Sequence, residues 1–560
     1  MAGWLACGPR PGAAETSRAG VDPTRPGARL GGYGGAGDFG VAMKRFVLVV
    51  LALPGLAGCT KMGPDFQPPE AWWQPATWFA TTPAPTPTPR TSVPVAEPFD
   101  PHWWKLLGDP LLNEMQTQLA TANLDLRTAD FRLAQARAQL GITESSLVPT
   151  ANANASYTRQ QQSRRGVTSI TSSGTTDPGT QAGGLGGRTS VPNTRLRQPY
   201  DVFQFGFDLS WEIDLWGRVA RLVEAGDAQV AASEEAARDL LVSASAELSR
   251  SYLTLRGTQR KIAIVRQNLD IARQNLRLTR ARAAGGLTTD LDVANAAAQV
   301  STVAAELPTL EEQQSRLVNA ISLLLGEQPG ARLATLAAPR ALPPVPPRVP
   351  VGVPGELTRR RPDIRQAEAN LHAATASIGA ARADFFPRIT LSGSGAIQGL
   401  QFRNLGEWAS HTYAFGPSIS VPIFEGGRLR RTLELREAQQ QEAALMFQRA
   451  VLGALHEVDN ALTAYRTEQR RRDQLQQAVA ENRRALGFAR ERYEQGIADF
   501  LQVLTAQRSL LDAERDLADS TTTVSLNLVQ LYKALGGGWE AGPAAVRPSG
   551  RADGGLPVRG

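Results

Sequence analysis

The chain has 560 residues, of which 42% are hydrophobic and 20% charged, with 60 Lys+Arg against 53 Asp+Glu and a formal net charge of +7. That length is ample for a large buried core, and the composition excludes general disorder. Two cysteines, Cys7 and Cys59, and four scattered histidines exclude a disulfide framework and a Cys/His metal cage. All but five of the basic residues are arginines spread along the chain, so there is no basic tail and no sign of a nucleic-acid partner. No apolar run reaches 18 residues, which excludes a membrane-spanning helix.

Residues 1–42 are rich in Gly, Pro, Ala and Arg and lack apolar periodicity, so they read as a disordered extension upstream of a chain that starts at Met43. Their Gly32-Tyr33-Gly34-Gly35-Ala36-Gly37 matches GxGxxG by chance, because no strand precedes it and no helix follows it. Met43-Lys44-Arg45 gives a positive n-region, and Phe46 to Pro54 gives a short apolar h-region. Leu56-Ala57-Gly58-Cys59 then completes a lipobox, so residues 43–58 read as a lipoprotein signal peptide. In that chemistry the Cys59 thiol takes a diacylglycerol as a thioether and the freed amine is acylated. Two or three chains give stable anchoring in lipid. Thr60, where an Asp would favour the inner membrane, points to the outer membrane of a Gram-negative cell. Residues 59–101 are Pro- and Thr-rich and read as an extended tether that sets the lipid away from the folded body.

Beyond the tether the chain repeats itself. A shift of 210 residues aligns Phe205-Gly206 with Phe415-Gly416, Gly217-Arg218 with Gly427-Arg428, and Leu325-Gly326 with Leu535-Gly536. A shift of 238 aligns Asp125 with Asp363, Gly141 with Gly379 and Pro149 with Pro387. The extra 28 residues belong to a Gly/Ser/Thr/Arg-rich loop at about 159–199 in the first copy. The domains are therefore repeat one at 102–329, a Pro/Val-rich equatorial linker at 330–360, repeat two at 361–539 and a disordered tail at 540–560.

Each copy reads helix, strand, loop, strand, very long helix, turn, helix. In copy one, Phe203, Phe205, Phe207, Leu209, Trp211, Ile213 and Leu215 alternate with polar or small residues over 13 positions. The partner strand has Tyr413, Phe415, Ile419, Val421 and Ile423 on one face, and weaker strands begin near Pro149 and Pro387. Proline-free stretches at 217–284 and 427–495 predict helices about 100 Å long. Ile262, Val265, Leu269, Ala272, Leu276, Thr279 and Ala283 step by three and four, as in a coiled coil. Glycine turns at Gly285-Gly286 and Gly496 send return helices back to about Leu325 and Leu535.

Four strands cannot close a barrel, and an open edge in lipid leaves backbone groups unpaired. Two chains give eight strands, whose interior side chains fill, whereas three give twelve and leave a conduit. The polar helices then extend into the periplasm as a tube.

Six stretches carry a resemblance to a known family. They are Trp103-Trp104-Lys105-Leu106-Leu107-Gly108-Asp109-Pro110, Trp211-Glu212-Ile213-Asp214-Leu215-Trp216-Gly217-Arg218, Arg360-Arg361-Pro362-Asp363-Ile364, Ala381-Arg382-Ala383-Asp384-Phe385-Phe386-Pro387, Pro422-Ile423-Phe424-Glu425-Gly426-Gly427-Arg428 and Tyr532-Lys533-Ala534-Leu535-Gly536-Gly537-Gly538-Trp539. With them the chain resembles the outer-membrane factors of tripartite efflux systems, the TolC-like group, and most closely the NodT-type lipoproteins paired with resistance-nodulation-division pumps. The resemblance implies an α+β membrane protein. It would be a homotrimeric channel with a 12-stranded outer-membrane β-barrel and a long periplasmic α-helical coiled-coil barrel. Its partners would be a periplasmic adaptor (a membrane fusion protein) and an inner-membrane pump of that class. Its work would be passive export of drugs or other small toxic compounds, without catalysis and with no cofactor beyond the lipid on Cys59.

The resemblance also places a gate at the periplasmic tip, where acidic side chains ring the pore. Asp499 matches the acidic gate position, and two aspartates that some secretion-type members carry fall on Gln502 and Thr505. Asp290 and Asp292 lie in the first-copy turn. All these acids also read as solvated charge at helix starts, where they favour the helix dipole. Two other readings stay open: an outer-membrane channel serving an ABC transporter in type I secretion, and a coiled-coil scaffold lipoprotein without a pore. Arg359, Arg360 and Arg361 precede Pro362 at a helix start and read as structural.

Overall fold

The computed structural model describes residues 61–69, 78, 92–95, 97, 98, 100–161 and 199–541. The upstream extension, the signal peptide, Cys59 and most of the 159–199 loop and of the tail lie outside the described residues.

Copy one opens with α1 (Pro110–Ala122) and α2 (Leu124–Glu144). The Asp109 carboxylate caps α1 by accepting from the Leu111 and Leu112 amides at 2.9 and 3.2 Å, and Pro110 sits at the first helical position, where its missing N–H costs nothing. Then follow β2 (Thr150–Gln160), β3 (Tyr200–Ile213) and the 67-residue α3 (Arg218–Ala284). The return leg is α4 (Asp290–Ala304) and α5 (Glu306–Leu324). After the short helices α6 (Leu333–Leu336) and α7 (Leu357–Arg360), copy two repeats the plan with α8 (Pro362–Ala383), β5 (Arg388–Gly399), β6 (His411–Ser420), the 67-residue α9 (Arg428–Glu494) and α10 (Phe500–Ala534).

Both long helices end in the same hydrogen-bonded turn. The Gly286 amide bonds to the Ala283 carbonyl at 2.9 Å and Leu287 to Arg282 at 2.8 Å, while Gly496 bonds to Tyr493 at 3.0 Å and Ile497 to Arg492 at 2.9 Å. This is the Schellman arrangement, in which the residue past the cap is left-handed. Gly286 and Gly496 occupy it with φ of 69° and 75°. Gly285 has φ −84°, which any residue adopts, so only the second of the two expected tip glycines is required by the backbone.

One expectation fails in copy one. Its return helix breaks at Ala305, between α4 and α5, whereas α10 runs unbroken for 35 residues. Pro308 is the cause: it has no N–H for the Ala304 carbonyl, and its ring clashes with that carbonyl in a continuous helix. The matching residue of copy two is Ala518.

The four long strands form one antiparallel sheet in the order β2-β3-β5-β6. Thr150 faces Ser210, Phe203 faces Gly399 and Arg388 faces Ser420. β6 ends at Ser420, opposite Arg388 at the start of β5, so the expected run to Ile423 is cut short where its partner strand ends. Beside the helices, β1 (Val93–Val95) pairs in parallel with β4 (Arg348–Pro350), within the linker. A core of fully buried side chains lies there, including Leu112, Met115, Tyr252, Tyr465 and Val529. Trp103 stacks on Tyr532 at 5.3 Å.

Further along, the expected coiled-coil positions Ile262, Val265, Leu269, Ala272 and Thr279 are buried. In copy two Val479, Leu486 and Tyr493 are buried in the same register.

Candidate channel wall, anchor seat and periplasmic tip

Strand alternation and register divide the sheet into two unlike faces. One face carries Ala153, Phe205, Phe207, Leu209, Leu391, Ile397, Tyr413, Phe415 and Ile419, brought into rows by the pairing. Phe207, Tyr413 and Phe415 are 70, 80 and 83% exposed, a cost in water that disappears in hydrocarbon. The other face carries Asn152, Asn154, Asp208, Ser210, Thr390, Ser392, Ser394, Thr412 and Ser418, with Glu212 at its foot. Arg218 grips the Glu212 carboxylate in bidentate fashion at 2.9 and 2.8 Å, and Arg388 stands 3.8 Å away.

Just below the sheet, Lys61–Pro69 leaves its mark on α3 and α8. The Met62 amide bonds to the Trp216 carbonyl at 3.1 Å. Arg221, 1% exposed, donates to the Met62 carbonyl at 3.0 Å, to the Gly63 carbonyl, and to Asp65 and Glu224 at 2.7 and 2.9 Å. Gly63, at φ 90°, lies so close to Gly379 that a Cβ would meet its Cα at 2.4 Å. Phe66 stacks on His372 at 4.5 Å. Burial pushes the Glu224 carboxyl up, but His372, Arg221 and Lys61 outweigh it and hold the group below the usual carboxylate range. The described start of the expected tether is therefore a docked strap. Further on, Trp78 is buried with its indole donating to the Gly352 carbonyl at 3.2 Å, and Val93–Val95 forms β1.

At the other end of the long helices the expected gate residues separate. Asp499 is the N-cap residue of α10, with an exposed side chain that makes no capping bond. Gln502 and Thr505 share the exposed side of the same helix start, and the Thr505 hydroxyl donates to the Leu501 carbonyl at 2.8 Å. Asp290 is exposed on the first turn of α4. Asp292 differs: its carboxylate accepts from the Thr288 hydroxyl and, at 3.3 Å, from the Thr289 hydroxyl, so it is engaged in closing its own turn.

Behind these residues lies a polar cluster that the apolar periodicity does not reveal, since its polar members stand beside the seam positions and not on them. The Asn275 amide donates to Gln507 at 2.7 Å, and Arg490 donates to Asn275 at 3.0 Å. Arg282 lies over the Tyr493 ring at 4.6 Å. Together they tie α3, α9 and α10 across the two copies.

Known proteins share this arrangement. The model of the family "Outer membrane efflux protein" matches residues 117–327 and 353–537. The outer membrane protein OprJ of Pseudomonas aeruginosa is 35% identical over 445 residues, 79% of this chain and 88% of that protein. The solvent efflux pump outer membrane protein SrpC of Pseudomonas putida is 30% identical over 504 residues, 89% and 99% of the two chains. The solved outer-membrane channel OprN superposes with a TM-score of 0.74 at 34% identity, covering 86% of this chain and 100% of that one. An apolar and a polar sheet face joined to long helical hairpins is thus a TolC-like channel wall, and the chain belongs to the outer membrane efflux protein family, as the non-enzymatic outer-membrane component of an efflux pump.

Proposed function

We propose that three copies of this chain close a twelve-stranded barrel and a helical tube, and that this conduit passes small organic toxicants delivered by a periplasmic adaptor and an inner-membrane resistance-nodulation-division pump. The observation that carries the reading is the unfilled edge. β2 and β6 each pair on one side only. Ile142 on α2 is 63% exposed where its counterpart Ala380 is buried, and Leu445 and Leu452 on α9 stand exposed where their counterparts Glu235 and Val242 are buried. Shifting the in-chain β3–β5 register by the repeat offsets gives the missing pairing. Asp208 faces Ser394, so Ser418 of β6 faces Ser156 on β2 of a neighbouring copy. Solvent in the name of SrpC supports small apolar substrates. The strap docked at the foot of the sheet supports a lipid on Cys59 held near that end of the barrel.

A chain carrying both Ser418→Cys and Ser156→Cys, oxidised in isolated membranes, is expected to run as a covalent trimer on a denaturing gel, with neither single variant doing so. Monomer only, with the protein intact in the outer membrane, overturns the assembly. Mass spectrometry of the mature N-terminus is expected to find an acylated Cys59. Cells lacking the chain are expected to lose tolerance to organic solvents.

A further inference from the structure

Among the described residues, the polar face of the sheet holds one carboxylate that no cation answers. Among the strand residues on that face only Asp208, Glu212 and Arg388 are charged. Glu212 is held by Arg218 and approached by Arg388. Asp208 is exposed, and its partner is neutral: the Asn154 amide donates to it from the next strand. Its row is otherwise uncharged, with Asn152 on one side and Ser394 on the other, then Ala414. The second copy does not repeat the charge, because Ser418 stands at the matching place.

We infer that Asp208 sets the charge preference of the barrel lumen, favouring cationic amphiphiles over anionic ones. The inference rests on the three-copy barrel proposed above, in which each copy contributes one Asp208 and the three make a single level of fixed negative charge. A charge on a wall backed by hydrocarbon is screened less than one on an open surface, and a narrow lumen focuses its field. Directly paired residues across strands lie about 5 Å apart, where one unit charge changes the local concentration of a monovalent ion several-fold at low salt. Opposite reagent charges respond in opposite senses, so the ratio of their rates responds about as the square of that factor.

The test reads the local potential through a reporter thiol, so a closed periplasmic tip does not limit it. Ser394→Cys, opposite Asp208, is placed in the full chain in liposomes and treated with cationic and anionic methanethiosulfonate reagents of similar size. The cationic reagent is expected to react faster, and adding Asp208→Asn is expected to cut the cationic-to-anionic rate ratio about tenfold in low salt. Asn keeps the shape and the bond to Asn154. The difference is expected to shrink in 1 M salt. Asn152→Cys, on the other side of Asp208, is a second reporter should the first variant fold poorly. A ratio unchanged by Asp208→Asn overturns the inference and leaves the barrel standing. Gly393→Cys, whose Cβ fits between Leu209 and Phe415 on the apolar face, is the control for the barrel itself. Labelling of Gly393→Cys with none at Ser394→Cys inverts the wall and overturns both readings.

Discussion

The two copies share a plan but not an environment. Arg221 of copy one is buried under the strap, while its counterpart Arg431 is on the surface, paired with Glu434. Val242 is 3% exposed and its counterpart Leu452 47%. The reason is order along the chain. Copy one is followed by α8, which packs along α3 and also touches α9, whereas among the described residues no further helix after α10 lies along α9. Duplication alone therefore makes one finished seam and one unfinished one. A second seam left open among the described residues is the one that another copy finishes in the assembly proposed above.

That contrast can be broken most severely by placing a charge at matched positions. Val242→Asp buries a carboxylate with no cation, a cost of several kcal/mol, and is expected to leave little folded protein in the membrane. Leu452→Asp is expected to leave the protomer folded by circular dichroism and to abolish trimers in native mass spectrometry. Trimers persisting in Leu452→Asp would remove α9 from the interface. Ala518→Pro brings to copy two the break that Pro308 makes in copy one, and is expected to cost about 3 kcal/mol, read as a lower thermal midpoint. Next, Arg221→Met unpairs the strap carbonyls and removes one of the three basic partners of Glu224, and is expected to cost about 3 kcal/mol. Amide exchange over residues 61–69 should then rise sharply, whereas Arg431→Met should leave the isolated protomer unchanged. Smallest is the tip. Gly286→Ala is expected to cost about 1 kcal/mol because its φ is left-handed, while Gly285→Ala should stabilise by about 0.5 kcal/mol. Equal midpoints for the two glycine variants would sink the turn assignment.

Much of this architecture can be read from the residues, because physical chemistry constrains long elements strongly. The ends of α3 and α9 fall within a residue of the limits that proline-free runs and glycines predict. The aromatic alternation of β3 announces its two faces, and its end at Ile213 is only slightly earlier than the pattern suggests. Contacts between distant segments are a different matter. Nothing periodic in Lys61–Pro69 announces that its carbonyls meet Arg221, because backbone acceptors carry no sequence signature. Asp292 looks like Asp499 in the sequence, yet Thr288 and Thr289 engage only Asp292. Pro308 was visible, but apolar periodicity runs through it, and the break follows from the ring and the missing N–H, which periodicity does not register.

That proline has a mechanical consequence. In an unbroken helix, bending lengthens the backbone hydrogen bonds on the outer side, so α10 resists bending along its whole length. Between α4 and α5 the bond from residue 308 back to Ala304 is already missing, and the angle there can change without losing it. One return leg of each hairpin pair is therefore an elbow and the other a rod. A bending load at the tip therefore meets less resistance from the return leg of copy one than from that of copy two.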